Sequence, residues 1–204
     1  RTRQQRKSTA LNLLTGLIPP QQGSFLFRGA PFKPHERGYL QDMGVVFQSP
    51  SIDLQISCRE NLELAARLQG IPRKDATAKV ERALKQAELE SRADDIAAEL
   101  SGGMKKRVGI ARAIAIEPEY VLYDEPTTGL DPITSDKINF LIKKVSEKRK
   151  VTSIIVTHNM QTLKFVANKV IMLHEGNIIF NGNVDELFSS NDSFIKYFVS
   201  GRKK

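Results

Sequence analysis

Three short apolar runs constrain this chain more than any other feature. Met43–Phe47 (MGVVF), Tyr120–Tyr123 (YVLY) and Val151–Thr157 (VTSIIVT) are continuous, and each is too short for a buried helix. Continuous rather than alternating hydrophobicity marks strands covered on both faces, which is the habit of parallel sheets. Helical patterns alternate with these runs. Ser8–Gly16 reads as a helix opening, closed by Gly16 and Pro19-Pro20, and Ser24–Arg28 as a short β-rich run after the turn Pro20-Gln21-Gln22-Gly23. Thr134–Lys148 carries Ile138, Leu141, Ile142 and Val145 at helical spacing, one apolar stripe. The implied fold class is α/β, a mainly parallel sheet with helices on both faces.

The alternation is interrupted once. Residues from about 50 to 115 carry no strand signal. Ser57 and Glu60 form a capping-box pattern for a helix through about Gln69. Pro72 sits near the start of a second helix, roughly Lys74 to Glu88. Ser101 can cap a third, running to about Ile116 and stopped by Pro118. This block reads as an inserted helical subdomain. Further on, Lys169–Leu173 and Asn177–Phe180 flank Glu175-Gly176, a hairpin signal. A tail from about 184 to 204 reads as two short helices.

Composition excludes several classes. A chain of 204 residues can bury a core without disulfides, and its one cysteine, Cys58, rules out an internal bridge. No apolar run approaches the ~20 residues of a membrane span, and no segment looks like a signal peptide. The net charge of +8 resides almost wholly at the two ends, in Arg1, Arg3, Arg6, Lys7, Arg202, Lys203 and Lys204. That is not the basic face or groove expected of a nucleic-acid binder, so nucleic acid is not an expected partner.

Polar residues cluster where the apolar runs end. Tyr120–Tyr123 delivers the acids Asp124 and Glu125, followed by Pro126; in open parallel sheets ligands bind at the carboxyl ends of strands. Two such acids could hold Mg²⁺ and activate a water. Gln48 follows the first run, and His158 follows the third. Ser101-Gly102-Gly103 opens a helix with bare N–H groups suited to an anion. The following Lys105, Lys106 and Arg107 read as a solvated face. Lys7-Ser8-Thr9 matches the end of a phosphate-binding loop, G-x-x-x-x-G-K-[ST], although Arg1 and Arg6 replace its two glycines. His35 and His174 read as surface residues.

The order of these pieces is specific. Lys7-Ser8-Thr9, Gln48, Ser101-Gly102-Gly103, Asp124-Glu125-Pro126, Leu130-Asp131 and His158, with the stretch LSGGMKKRVGIARAIAIEPEYVLYDEPTTGLDP, resemble an ABC transporter nucleotide-binding subunit over nearly the whole chain, 1–204. By that resemblance they are the end of Walker A, the Q-loop, the signature, Walker B with its glutamate, the D-loop and the H-loop. Met104, the basic residues after it and the tail NGNVDELFSSNDSFIKYFVSG are most similar to the Mla-type branch, which moves phospholipids across the bacterial envelope. VVFQSPSIDLQISCRENLELAARL also resembles ATPases of drug or polysaccharide exporters.

The resemblance implies ATP and Mg²⁺ as ligands. Lys7, Ser8 and Thr9 would meet the phosphates, and Ser8, Gln48 and Asp124 would serve the metal. Glu125 and His158 would be catalytic. Ser101, Gly102 and Gly103 would close on the nucleotide of a second ATPase subunit, giving a homodimer, and Asp131 of the D-loop would also bind nucleotide. Permease subunits in the membrane and a lipid-binding subunit would be further partners, at the cytoplasmic face of the inner membrane. The family has strands before Walker A that this chain lacks, so a truncated or misread opening is expected. With Arg1 and Arg6 in the loop, weak ATP binding or a catalytically silent partner subunit is also expected.

Overall fold

The structure, a computed structural model, describes residues 3–32 and 37–200, except for the side chains of 3–8, 32 and 37. It divides into two compact units, Arg1–Val156 and Thr157–Lys204. In chain order the first unit holds α1 (Arg3–Leu14), β1 (Phe25–Phe27), β2 (Ala30–Phe32), α2 (Arg37–Gln41) and β3 (Met43–Val46). These are followed by α3 (Cys58–Leu68), α4 (Arg73–Gln86), α5 (Gly102–Ala115), β4 (Tyr120–Asp124), α6 (Pro132–Arg149) and β5 (Thr152–Val156). The second holds α7 (Met160–Val166), β6 (Lys169–His174), β7 (Asn177–Asn183), α8 (Val184–Phe188) and α9 (Ser193–Ser200).

The three apolar runs become one parallel sheet in the order β3-β4-β5. Val46 stands opposite Tyr123, and Asp124 opposite Val156. Consecutive residues of a strand point to opposite faces. Val121, Leu122 and Tyr123 are all nearly inaccessible, so both faces of the central strand are covered, as its unbroken hydrophobicity implies. Leu11, Tyr39, Met43 and Leu122 form one core cluster, with Leu14, Phe27 and Val156 against it. The Tyr39 hydroxyl donates to the Leu14 carbonyl at 2.6 Å, tying α2 to the end of α1.

The helical block has its own interior. Leu62 of α3, Val80 and Leu84 of α4, and Val108 and Ile114 of α5 are fully buried. Ser57 and Glu60 make the reciprocal capping box, and Ser101 and Asp131 cap α5 and α6. Helix α5 also lies against the sheet. A Cβ at Gly44 of β3 would stand 2.6 Å from the Ala113 carbonyl oxygen, so only glycine permits this approach. Glu88, just after α4, accepts from Arg107 at 2.8 Å and from Lys144 of α6 at 3.3 Å.

Several expectations need correction. Helix α1 begins at Arg3 rather than Ser8, because Gln and Arg are good helix formers and no glycine interrupts them. The run Ser24–Arg28 contains β1, but its antiparallel pairing with β2 through Arg28-Gly29, both at positive φ, is not expected from the sequence. Arginine is an unusual residue there, so the usual Asn-Gly turn signal is missing. His174 is not on the open surface: its ring lies 4.1 Å from that of Phe194 on α9. The β6–β7 hairpin turns at Glu175-Gly176 as expected. His35 lies outside the described residues.

Gly44→Ala is expected to destabilise the chain by about 1–3 kcal/mol through overpacking. Gly109→Ala on α5 meets nothing within 4 Å and should instead stabilise, by up to ~1 kcal/mol of helix propensity. Urea unfolding of the two variants measures the contrast; equal midpoints would refute the close approach.

Candidate functional site

The parallel register carries polar residues to a common edge. Gln48 lies two residues beyond Val46, and Glu125 two beyond Tyr123, which is paired with Val46. Asp124, still within β4, and Glu125 are only 8% and 4% exposed. Glu125 has φ 45°, a left-handed backbone conformation that disfavours a side chain. Its N–H donates to the Val156 carbonyl at 2.8 Å, and its own carbonyl accepts from Thr128 N at 3.1 Å. The ladder thus holds a strained residue at the point where the chain leaves the sheet.

A residue the sequence assigned to solvent enters here. Lys106, on the second turn of α5, is only 5% exposed. Its ammonium donates to the Gln48 carbonyl. Burial pulls its pKa below the usual lysine value, while Asp124 and then Glu125 work against that by favouring the charged form. Its neighbours are not free in solvent either. Lys105 donates to the Ala98 carbonyl at 3.0 Å, and Arg107 to the Ala87 carbonyl at 3.1 Å and to Glu88. A basic triplet after a glycine pair gives no periodic signal by which its buried member could be recognised.

The Ser-Gly-Gly segment is presented differently. Ser101, Gly102 and Asp131 are exposed. The Ser101 hydroxyl accepts from Met104 N at 3.4 Å, and Asp131 accepts from Thr134 N at 2.9 Å. Hydrogen bonds from Thr134, side chain and backbone, hold the Asp131 carboxyl below its ordinary pKa. A Cβ on Gly103 would clash with the Thr134 methyl, and one on Gly102 would touch Leu130 at 3.7 Å. The starts of α5 and α6 therefore pack as a pair.

The remaining candidates are placed less fully. Lys7, Ser8 and half-buried Thr9 lie inside α1 rather than at its first turn, and the side chains of Lys7 and Ser8 are outside the described set. Interior helix amides bond to carbonyls four residues back and are not available to phosphate. His158 belongs to the second unit, is exposed, and follows Val156 by two residues. Among the described residues, no group of three or more His, Cys, Asp or Glu assembles around one point. One buried carboxylate, Asp124, with one amide, Gln48, suits a hard cation that arrives already carrying phosphate oxygens and water.

A cleft of about 540 Å³ opens between β3, α3, α5 and the segments that follow α1 and β3. Leu64, Leu68 and Leu17 line it with Arg112. The three leucines are 41%, 80% and 62% exposed, and burial pulls the Arg112 guanidinium below its usual pKa. No helix among the described residues is long and apolar enough to cross a membrane.

Comparison with known proteins agrees with this arrangement. Residues 7–128 match the ABC transporter family. The methionine import ATP-binding protein MetN 2 of Enterococcus faecalis is 33% identical over 198 residues, 95% of this chain and 57% of the relative. The chain thus spans little more than half of that protein. The structure of cbiO1 from Clostridium perfringens, part of the ABC transporter complex cbiONQ, superposes with a TM-score of 0.83 at 29% identity, covering 97% of this chain and 80% of the other. A dimeric, post-hydrolysis structure of the ATP-binding cassette MJ0796 with ADP and Pi gives 0.74 at 31% identity, covering 87% and 80%. These relatives do not single out the lipid branch expected from Met104 and the tail.

Strain at the carboxylate edge is measurable. Glu125→Gly removes the side chain and relieves the left-handed backbone, whereas Glu125→Ala removes only the side chain. Glycine is expected to be more stable than alanine there by about 1 kcal/mol in denaturant unfolding. Equal stability would mean that residue 125 is relaxed.

Proposed function

This chain belongs to the ABC transporter family, and we propose that it is an ATP-hydrolysing subunit working as one of a pair. The observation that carries the reading is the contrast between two polar sets. Asp124 and Glu125 are buried at the strand ends, whereas Ser101, Gly102 and Asp131 are exposed at paired helix starts. The first set suits the reacting end of a nucleotide. The second has bare helix-terminal N–H groups facing outward, suited to a phosphate brought by another subunit.

The chemistry proposed is phosphoryl transfer to water, in which positioning and charge stabilisation supply most of the catalysis. Asp124 and Gln48 would hold Mg²⁺, which when bound neutralises charge on the phosphate oxygens. Glu125 would accept a hydrogen bond from the attacking water and orient it. Burial at this edge limits competing solvent and strengthens the interaction. Lys7, Ser8 and Thr9 would serve the phosphates, and the family resemblance assigns His158 to the γ-phosphate. Ser101, Gly102, Gly103 and Asp131 would serve the partner's nucleotide.

The cleft lined by Leu64 and Leu68 is where a membrane-spanning partner would dock, with its apolar side chains against these leucines. Peripheral attachment to a membrane through such a partner follows. For cargo, the name of the methionine import relative supports uptake of a small solute. The phospholipid alternative rests on Met104 and the tail, and with it the lipid-binding subunit.

A second reading has its own support. With α1 running from Arg3, the Walker A remnant is helical, and Arg6 stands where the loop has glycine. A subunit of this kind would lend Ser101–Gly103 to an intact partner while its own site stayed silent.

One variant separates the readings. Glu125→Gln in the purified chain is expected to lower Mg-ATP hydrolysis by about 100-fold or more, with nucleotide affinity unchanged in a fluorescence titration. Hydrolysis that persists overturns the assignment of Glu125. If the chain alone is inert, it is paired with an intact homologue. A Glu125→Gln substitution without effect on that mixed dimer, together with loss of activity in Gly103→Asp, would establish the silent-partner reading.

A further inference from the structure

Arg59, Arg107, Arg112 and Arg149 are the half-buried arginines among the described residues. All but Arg112 meet a carboxylate. Arg59 donates to Asp94 and Arg107 to Glu88, each at 2.8 Å, and Arg149 stands 3.7 Å from Glu117. Arg112, on α5, makes no hydrogen bond or ion pair among the described residues, and it lines the cleft between α3 and α5. Asp53 lines the same cleft, but its carboxylate accepts from Gln55 N at 2.9 Å. Asn61, only 3% exposed, holds the Asp53 main chain through two bonds of 2.8 Å, one to its N–H and one to its carbonyl. The acid of the cleft is thus tied to its own loop, and the cation is left to whatever enters.

A guanidinium does not give up its proton in a protein, so Arg112 keeps its charge whatever covers it. In the open cleft it stays within reach of solvent. Leu64 and Leu68, one turn apart on α3, and Leu17 stand exposed around the same space. A segment that covered these leucines with apolar side chains alone would also strip water from Arg112 and leave a buried, unpaired cation. A segment that brought a second cation would fare worse. One that brought a carboxylate would form a charge-assisted, forked pair. We infer that Arg112 makes this cleft selective for an acidic docking segment: the part of the membrane-spanning partner seated on Leu64 and Leu68 carries an aspartate or glutamate that pairs with the guanidinium. The inference rests on the reading of the cleft as the docking place, and it adds the sign of the charge that the occupant bears. Selection works largely by exclusion, because a wrong segment strands the cation.

The test uses a set of end-blocked helical peptides of ~15 residues, near the shortest length that holds a helix in water. They are identical except at one position, beside two leucines a turn apart, which is Glu, Gln or Lys. Binding to the full chain is followed by the methyl NMR signals of Leu64 and Leu68, which report affinity and location together. The Glu peptide is expected to bind about tenfold more tightly than the Gln peptide, and the Lys peptide more weakly still. Arg112→Glu should reverse the order of the Glu and Lys peptides. Arg112→Lys, which keeps the charge but not the fork, should preserve the order with a smaller spread. An arginine that merely packs would alter all the peptides alike.

The order of the peptides on the natural chain decides the question even if Arg112→Glu folds badly. Peptides that shift the leucine signals with equal affinity, whatever their charge, overturn the role of Arg112 while the cleft remains a docking place. An unchanged order in a folded Arg112→Glu overturns it as well. If no peptide shifts those signals, or if Leu68→Ser leaves binding intact, the cleft is not the docking place and both readings fall. Leu68 is 80% exposed, so its replacement leaves the fold in place.

Discussion

The hydrogen-bond register of three parallel strands governs where the polar groups of the first unit can lie. Parallel pairing fixes which residues are opposite each other, and strands of similar length then end together. Because Val46 is paired with Tyr123 and Asp124 with Val156, the chain leaves β3 and β4 at the same edge with Gln48 and Glu125. A slip of one residue would turn every side chain of a strand to the other face. Burial of both faces of β4 forbids that slip, since it is packed throughout. The core therefore specifies the site, although no core residue takes part in it.

Placing two acids at such an edge has a cost, and the structure shows how it is met. Asp124 and Glu125 are nearly inaccessible, so solvent screens them little. Glu125 also sits in a backbone conformation worth roughly 1–2 kcal/mol of strain. Its N–H bond to Val156 extends the β4–β5 ladder one residue beyond the strand. Ladder and strain act on adjacent atoms, so the backbone that carries the carboxylates is set before any ligand binds.

Much of this was legible in the sequence because the signals were strong and local. The runs MGVVF, YVLY and VTSIIVT, the Ser57–Glu60 box and the α6 stripe each rest on a short-range rule, and each is found in the structure. The strand-end position of Gln48, Asp124 and Glu125 followed from the same runs. Lys106 was not legible, because burial of a lysine depends on which strand a helix happens to cover. The start of α1 was misread because Lys7-Ser8-Thr9 matches the end of a loop, although no glycine keeps residues 3–6 out of the helix. The β1–β2 hairpin was missed because Arg28 adopts a turn conformation that the sequence gives no reason to expect.

Helix α5 joins the two polar sets that define the proposed function. Its first residues are exposed beside the start of α6, and Gly103 abuts Thr134 there. Lys106 reaches the Gln48 carbonyl only a few residues later, and Ala113 lies against Gly44 of β3. An α-helix is stiff over this length, about 20 Å for 14 residues. A displacement of its exposed start is therefore transmitted as a rigid movement to the lysine and to the strand beneath it. Glu88 adds a second restraint by linking Arg107 to Lys144 of α6. The exposed start of α5 and its seat on β3 are consequently parts of one rigid element, because Lys106 near one end bonds the segment leaving that strand and Ala113 near the other abuts Gly44 within it.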